Sequence, residues 1–258
     1  MVRVLIWNEY RHEQRHQDIH EIYPDGMHGC IRDFLKTNED MEIRTTTQFN
    51  DDLYKPDENA GLSDELLAET DVLIWWGHAY HKDVPDAWVE KIVARVNEGM
   101  GFIALHSTHH SKVFKALMGT RCNLRWRLSE DHERLWNIAP NHPVMKGIPE
   151  YFELDAEETY GERFDIPSPD EILMLGWYSG GEVFRSVCTF TRGVGRILYI
   201  QPGHETYPTF KNLYIQKLIT NGVYWAAPTQ SVNLHTLHAE ISPEERRKKG
   251  EQPTDYVR

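Results

Sequence analysis

The stretch Gly101-Phe-Ile-Ala-Leu-His-Ser-Thr-His-His-Ser111, GFIALHSTHHS, places a short apolar run between a glycine turn and a cluster of imidazoles and hydroxyls. A continuous apolar run of this length, bounded by turn residues, is the pattern of a strand buried on both faces of a helix-covered parallel sheet. It stops at His106, the strand-to-helix corner where many α/β enzymes carry a nucleophilic Ser or Cys. The fold therefore follows from the run itself, and the chemistry from the residue that ends it.

Working outward from Gly101, the same alternation of elements repeats. Upstream, Pro85–Asn97 reads as a helix with Trp88, Val89, Ile92, Val93 and Val96 on one stripe and proline in its first turn. Before it lie the apolar strand Asp71–Trp76 and a short helix, Leu62–Glu69, with Ser63 as its N-cap. Val2–Trp7 and Met41–Thr47 read as strands joined by a helix at Gly26–Lys36, and Lys112–Met118 continues the series downstream. This β-α-β-α order predicts an α/β fold with a parallel sheet and helices on both faces. In such sheets ligands bind beyond the carboxyl ends of the strands. Those ends are Asn8-Glu9, Gly77-His78, His106-Ser107 and Pro202-Gly203-His204-Glu205.

The pattern changes after the helix at Lys112–Met118. Residues 120–164 read as an irregular, charged insertion containing RCNLRWRLSEDHER and the loop Asn141–Pro143. Strands return at Ile172–Trp177, Val183–Phe190 and Ile197–Gln201 as an antiparallel extension, and Phe210–Trp225 closes the domain as a helix. The domain is expected to span residues 1–228. Residues 229–258, with EERRKK at Glu244–Lys249, read as a polar tail or an oligomerisation arm, so a homo-oligomer is expected.

Composition narrows the classes of partner. The formal net charge is −12 and no basic stripe is visible, which disfavours nucleic acid and anionic membranes. Cys30, Cys122 and Cys188 are widely spaced, without a CxxC pair, as expected in a reducing cytoplasm. The apolar part of MVRVLIWNEYRH is too short for a signal peptide, and no run reaches the roughly 18 apolar residues of a membrane span. The 14 histidines and 8 tryptophans are high for 258 residues; histidines serve as ligands or acid–base groups, and aromatic clefts suit carbohydrate.

GFIALHSTHHS, HPVMKGIP, EETYGERF and GRILYIQPGHE, followed by a helix ending NGVYWA, together resemble the ThuA-like family, named for trehalose utilisation, over roughly residues 1 to 227. The resemblance implies a flavodoxin-like sheet of the class I glutamine amidotransferase-like superfamily, here with a β-rich insertion. It also implies a role in metabolism of a disaccharide or its keto derivative. Glutaminase chemistry is disfavoured: the corner residue is His106, Cys122 lies beyond the next helix, and His204 and Glu205 are adjacent instead of spaced as HxE. Neighbouring side chains on an extended segment point oppositely, so Glu205 is poorly placed to orient His204.

The candidate catalytic residues are His106, His204, Glu158 and Tyr160, the last two on one side of an extended segment. His78, Trp126 and Glu205 are candidates for substrate binding. His28, at a helix start, joins His106, His204 and Glu158 as a candidate ligand set for zinc or another divalent metal. Whether the group is metal-assisted or a metal-free acid–base set stays open. The expected activity is that of a sugar lyase, hydrolase or isomerase with no nucleotide cofactor, and a non-catalytic carbohydrate-binding or regulatory protein is the alternative. His12, His16 and His20, four residues apart, read as a solvated helical face, and His109 and His110 as first-turn surface residues. Arg125, Arg127 and Arg163 are equally suited to substrate contact or solvent; Trp75, Trp76, Trp88, Trp126 and Trp136 read as packing residues, with a sugar cleft the alternative for Trp126 and Trp136 in the insertion.

Overall fold

The first half of the chain alternates as its apolar runs require. In the computed structural model, which describes residues 1–50 and 54–229, the strands are β1 (Val2–Asn8), β2 (Met41–Thr47), β3 (Val72–Trp76) and β4 (Gly101–Leu105). The helices among them are α1 (His12–Arg15), α2 (Gln17–Ile22), α3 (Gly26–Leu35), α4 (Asp64–Ala68), α5 (Asp86–Asn97) and α6 (Lys112–Met118). Ser63 caps α4 by accepting from the Leu66 amide at 3.1 Å, and Ser111 caps α6 by accepting from Phe114 at 3.0 Å. The second half supplies β5 (Arg125–Asn137), β6 (Tyr151–Gly161), β7 (Glu171–Tyr178), β8 (Val183–Arg192), β9 (Gly195–Ile200) and α7 (Leu213–Ala226).

All nine strands form one mixed sheet in the order β2-β1-β3-β4-β9-β8-β7-β5-β6. The run from β2 to β9 is parallel and the run from β9 to β6 antiparallel. Alternate residues of the parallel strands go to opposite layers. Ile6, Ile74, Ile103 and Leu198 pack with Ile31 of α3 and Ile219 of α7, while Trp7, Trp75, Phe102 and Tyr199 pack with Ile92 of α5 and Phe114 of α6. Burial on both faces explains why these strands are continuously apolar. α7 sits so close that a Cβ on Gly222 would lie 2.5 Å from Leu198 Cδ2. Leu198→Ala is therefore expected to empty a site that α7 cannot easily refill, at a cost of about 2–5 kcal/mol, read as a lower urea midpoint at unchanged slope.

Three sequence expectations are corrected. Residues 120–164 are not irregular: they hold a 13-residue and an 11-residue strand paired antiparallel at the far edge of the sheet. The outer half of β5 is exposed and charged, and register shifts between Arg127 and Glu133 break its period, so no alternation marks it. The chain around His12, His16 and His20 breaks at His16 into two short helices; His16 and His20 are exposed as expected, whereas His12 is half-buried and faces Glu205, its ring still 5.9 Å from that of His16. α7 begins at Leu213, because Asn212 caps it by accepting from Tyr214 and Ile215; Leu213 is exposed and Phe210 belongs to a preceding 3-10 turn. The expected tail or oligomerisation arm, residues 230 to 258, lies outside the described residues.

The antiparallel half also curls. β6 is last in the sheet order, yet its residues contact the ends of β4 and β9. The extension therefore closes over the carboxyl edge of the parallel strands.

Candidate functional site

β4 delivers His106 through a sharp corner. Its φ of +51° is in the left-handed region, which costs a non-glycine residue about 1–2 kcal/mol. Two hydroxyls hold the 3-10 turn His106–His110 against β3: Ser107 Oγ donates to the Gly77 carbonyl and Thr108 Oγ1 to that of Trp75, both at 2.8 Å. The fully buried His106 ring is then fixed on both edges. Nδ1 lies 2.8 Å from the Gln201 carbonyl, which can only accept, so Nδ1 carries hydrogen. Nε2 consequently faces Glu158 Oε2 at 2.9 Å and the Tyr160 hydroxyl at 3.3 Å. With Nδ1 protonated, that short Nε2–carboxylate contact is favourable when a second proton sits between the two groups, or when both face a cation.

Burial opposes charge on His106, but the hydrogen bond and the charge of Glu158 outweigh it and hold the imidazole above its ordinary pKa. Burial likewise opposes ionisation of Glu158, and its bond to His106 brings it below the usual value. Tyr160 stacks on the His106 ring, with centroids 5.0 Å apart and planes at 20°.

His204 approaches from the end of β9, its ring edge-on to His106 at a centroid distance of 5.3 Å. Gly203 permits this: its φ is +142°, and a Cβ there would lie 2.8 Å from Phe210 Cζ and 3.4 Å from His106 Cβ. The loop is clamped by the buried carboxylate of Glu157, which accepts from the amides of Gly203 and His204 at 3.0 and 3.2 Å and from Thr209 Oγ1 at 2.7 Å. His204 Nδ1 lies 2.8 Å from Thr206 Oγ1 and 3.7 Å from Glu205, so Thr206 orients the ring and Glu205 does not. Burial lowers the His204 pKa to about 4, leaving it neutral at physiological pH. One donor atom from each of His106, Glu158 and His204 lies within 4.8 Å of the others.

A second group adjoins the first. His78, after β3, and His12, in α1, meet Glu205, again with donor atoms within 4.8 Å, and the His78 ring is 5.2 Å from that of His204. Glu9 accepts from the amides of His78, Ala79 and Tyr80 at 2.9, 3.0 and 2.9 Å and so sets the loop carrying His78.

The family model described as ThuA, trehalose utilisation, matches residues 3–226. The chain belongs to the ThuA family. ThuA-like proteins from Parabacteroides merdae and Bacteroides uniformis share its fold. The first is 16% identical, with a TM-score of 0.66, and the match covers 90% of this chain and 93% of that one. The second is 18% identical, with a TM-score of 0.64, covering 89% and 92%. A glutamine amidotransferase from Thermotoga maritima is 12% identical, with a TM-score of 0.51, covering 87% and 97%, so the amidotransferase-like scaffold is shared too. No functionally characterised protein among the curated ones matches the sequence. Among the described residues of this ThuA chain, no helix is long and apolar enough to cross a membrane.

The structure brings together most, not all, of the residues singled out from the sequence. His106, His204, Glu158 and Tyr160 converge, and His78 and Glu205 adjoin them. His28 is in neither group of close donors among the described residues; its Nδ1 accepts from Asn8 Nδ2 at 2.9 Å and its ring meets Tyr10 edge-on. Trp126 is 65% exposed and lines a separate groove of about 340 Å³ with Arg125, Thr159, Glu162 and Glu182. Arg127, also there, is committed to Asp131 and Glu182. His109 is buried instead of exposed: its Nδ1 lies 2.8 Å from the Cys122 carbonyl, because the corner is a 3-10 turn that rotates the ring inward. Sequence reasoning placed Glu9 at a ligand-facing strand end without assigning it a role, chose Glu158 over its neighbour Glu157, and read His12 as solvated. Glu9 and His12 lie at the end of β1, where a carboxylate followed three residues later by a histidine was the available signal.

The His106–Glu158 pair gives a pH signature. The lowered Glu158 pKa contributes stability above its ordinary 4.5, lost as pH falls through the folded value. The raised His106 pKa contributes stability fully below its ordinary 6.5, lost as pH rises through the folded value. The difference in thermal midpoint between wild type and Glu158→Gln is thus expected to peak at about pH 5–6 and shrink on either side. A difference constant from about pH 4 to 8 would contradict the charged pair.

Proposed function

We propose that this ThuA-family chain acts on a disaccharide or its keto derivative, taking a proton from the carbon beside a carbonyl. The observation that carries this is the pairing of two adjacent imidazoles with opposite pKa shifts, His106 raised and His204 lowered to about 4. Groups pushed apart in this way supply an acid and a base at the same pH. His204, neutral, takes the proton; the C–H electron pair moves into the new C=C bond. The carbonyl oxygen takes the proton that protonated His106 otherwise shares from Nε2 with Glu158, displacing that hydrogen bond, and the C=O π pair becomes the new O–H bond; until then Glu158 keeps His106 charged. The Tyr160 hydroxyl, 3.3 Å from the same nitrogen, is a second donor. Isomerisation or elimination follows from the resulting enediol. No cysteine is required: Cys122 is buried and bonded within its own turn, at Thr120.

The convergence of His106, Glu158 and His204 favours a second reading of the same centre, in which they hold zinc or another divalent metal. The residues fit: Nδ1 of His106 is fixed on a carbonyl, the arrangement that presents Nε2 to a cation. Such a metal would polarise the substrate carbonyl.

The test is exchange of the proton beside the carbonyl of a keto-disaccharide in D2O, followed by NMR. Wild type is expected to catalyse exchange and His204→Ala to lose it by about 10²–10⁴-fold. Sensitivity to a chelator would select the metal version. Binding of sugar without exchange in either protein would select the non-catalytic carbohydrate-binding alternative and sink the enzyme.

A further inference from the structure

We propose that His12, His78 and Glu205 form a second divalent-cation site beside the His106 centre. Three separate segments build it: α1 after β1, the loop after β3 and the loop after β9. Glu205 Oε1 is 2.8 Å from His78 Nδ1 and 3.8 Å from His12 Nδ1. Ligands around a cation with bonds of about 2.0–2.1 Å in tetrahedral array stand about 3.3 Å apart, and these distances bracket that spacing.

The polar atoms are also left without partners. His12 Nδ1 and His78 Nδ1 are buried and make no hydrogen bond of good geometry, although Glu205 Oε1 lies 3.8 and 2.8 Å from them; Glu205 Oε2 is unpaired too, 3.7 Å from His204 Nδ1. Buried donors and acceptors are ordinarily paired, and two unpaired imidazole nitrogens from separate segments converging on one buried carboxylate are accounted for by an ion. The carboxylate is only 3% exposed and aims inward, whereas the two imidazoles are partly open, at 17% and 28% of the side chain. Two histidines and one carboxylate leave open positions and suit a first-row divalent ion. Glu9 reaches the same place from behind, 3.9 Å from His12 Nδ1, but its oxygens are used by three loop amides, so it positions His78 and is not counted as a ligand.

The cation would face solvent on one side and His204 on the other, since His78 touches both the His12 and His204 rings, at 5.0 and 5.2 Å. That position suits capture of sugar hydroxyls or a carbonyl entering the site. The inference does not depend on which chemistry the inner centre performs.

Full-length protein stripped with a chelator would be titrated with Zn2+ by calorimetry and its zinc counted after desalting. Loss of outer-shell partners alone costs about 10–100-fold in metal affinity, so His12→Ala and Glu205→Gln are each expected to weaken one zinc by more than about 100-fold. Both should bind one equivalent fewer than wild type, and His106→Ala should retain the His12-dependent zinc. If His106→Ala also binds as much zinc as wild type, the metal version of the inner centre fails while the outer site stands. Unchanged zinc in both His12→Ala and Glu205→Gln, or no zinc bound by wild type, overturns the proposal. His12→Gln, checked by circular dichroism, guards against misfolding of a single variant.

Discussion

Glu158→Gln is expected to lower turnover on a keto-disaccharide by about 10²–10⁴-fold while leaving KM within about threefold. Gln keeps the size of the side chain and can turn its amide N–H toward the bare Nε2 of a neutral His106, which faces the carboxylate at 2.9 Å in the wild type, so the ring should stay in place. What it removes is the charge that, against burial, holds His106 protonated. The imidazole is then neutral at the pH where the wild-type enzyme works, and the acid needed by the carbonyl oxygen is gone. The alkaline limb of the pH–rate profile should move to lower pH, because less charge stabilises the imidazolium. A variant with full turnover, or one altered in KM alone, would remove the His106–Glu158 pair from the mechanism.

Glu157→Ala is expected to destabilise the chain by about 3–5 kcal/mol. Its carboxylate takes two backbone amides and the Thr209 hydroxyl, and a third amide, its neighbour Glu158, at 2.9 Å. Alanine strands those donors in a dry environment, each at about 1–3 kcal/mol, partly offset because burial already penalises the Glu157 charge. The affected loop carries His204 and Glu205, so the variant should also lose sugar turnover and the outer zinc together. Urea unfolding measures the first effect. A loss below about 1 kcal/mol would mean that the loop is held by its own packing and not by the clamp.

Much of the fold was legible because its signals are local. Val72–Trp76 and Gly101–Leu105 are buried on both faces by helices, so their apolarity is continuous and their boundaries are marked by glycine and polar residues. β5 failed to announce itself because its outer half packs against nothing apolar and its register is interrupted; only pairing with β6 and β7 makes it a strand. The residues at strand ends followed from a topological rule, which places His78, His106 and His204 at one edge without saying which way any ring faces.

His12 shows where that rule stops. Its sequence spacing to His16 and His20 described a solvated face, which holds for those two, yet His12 itself faces Glu205, nearly two hundred positions away. Glu158 is similar: alternation put it on the same side as Tyr160, and both do meet His106, but only because the antiparallel half of the sheet curls over the parallel half. The sequence by itself determined the α/β order, the buried strands and the imidazoles at their ends, all consequences of period and local turn chemistry. Tertiary structure decided which carboxylate each imidazole meets. That choice depends on sheet curvature and loop clamps, whose hydrogen bonds join residues tens of positions apart and leave no periodic trace.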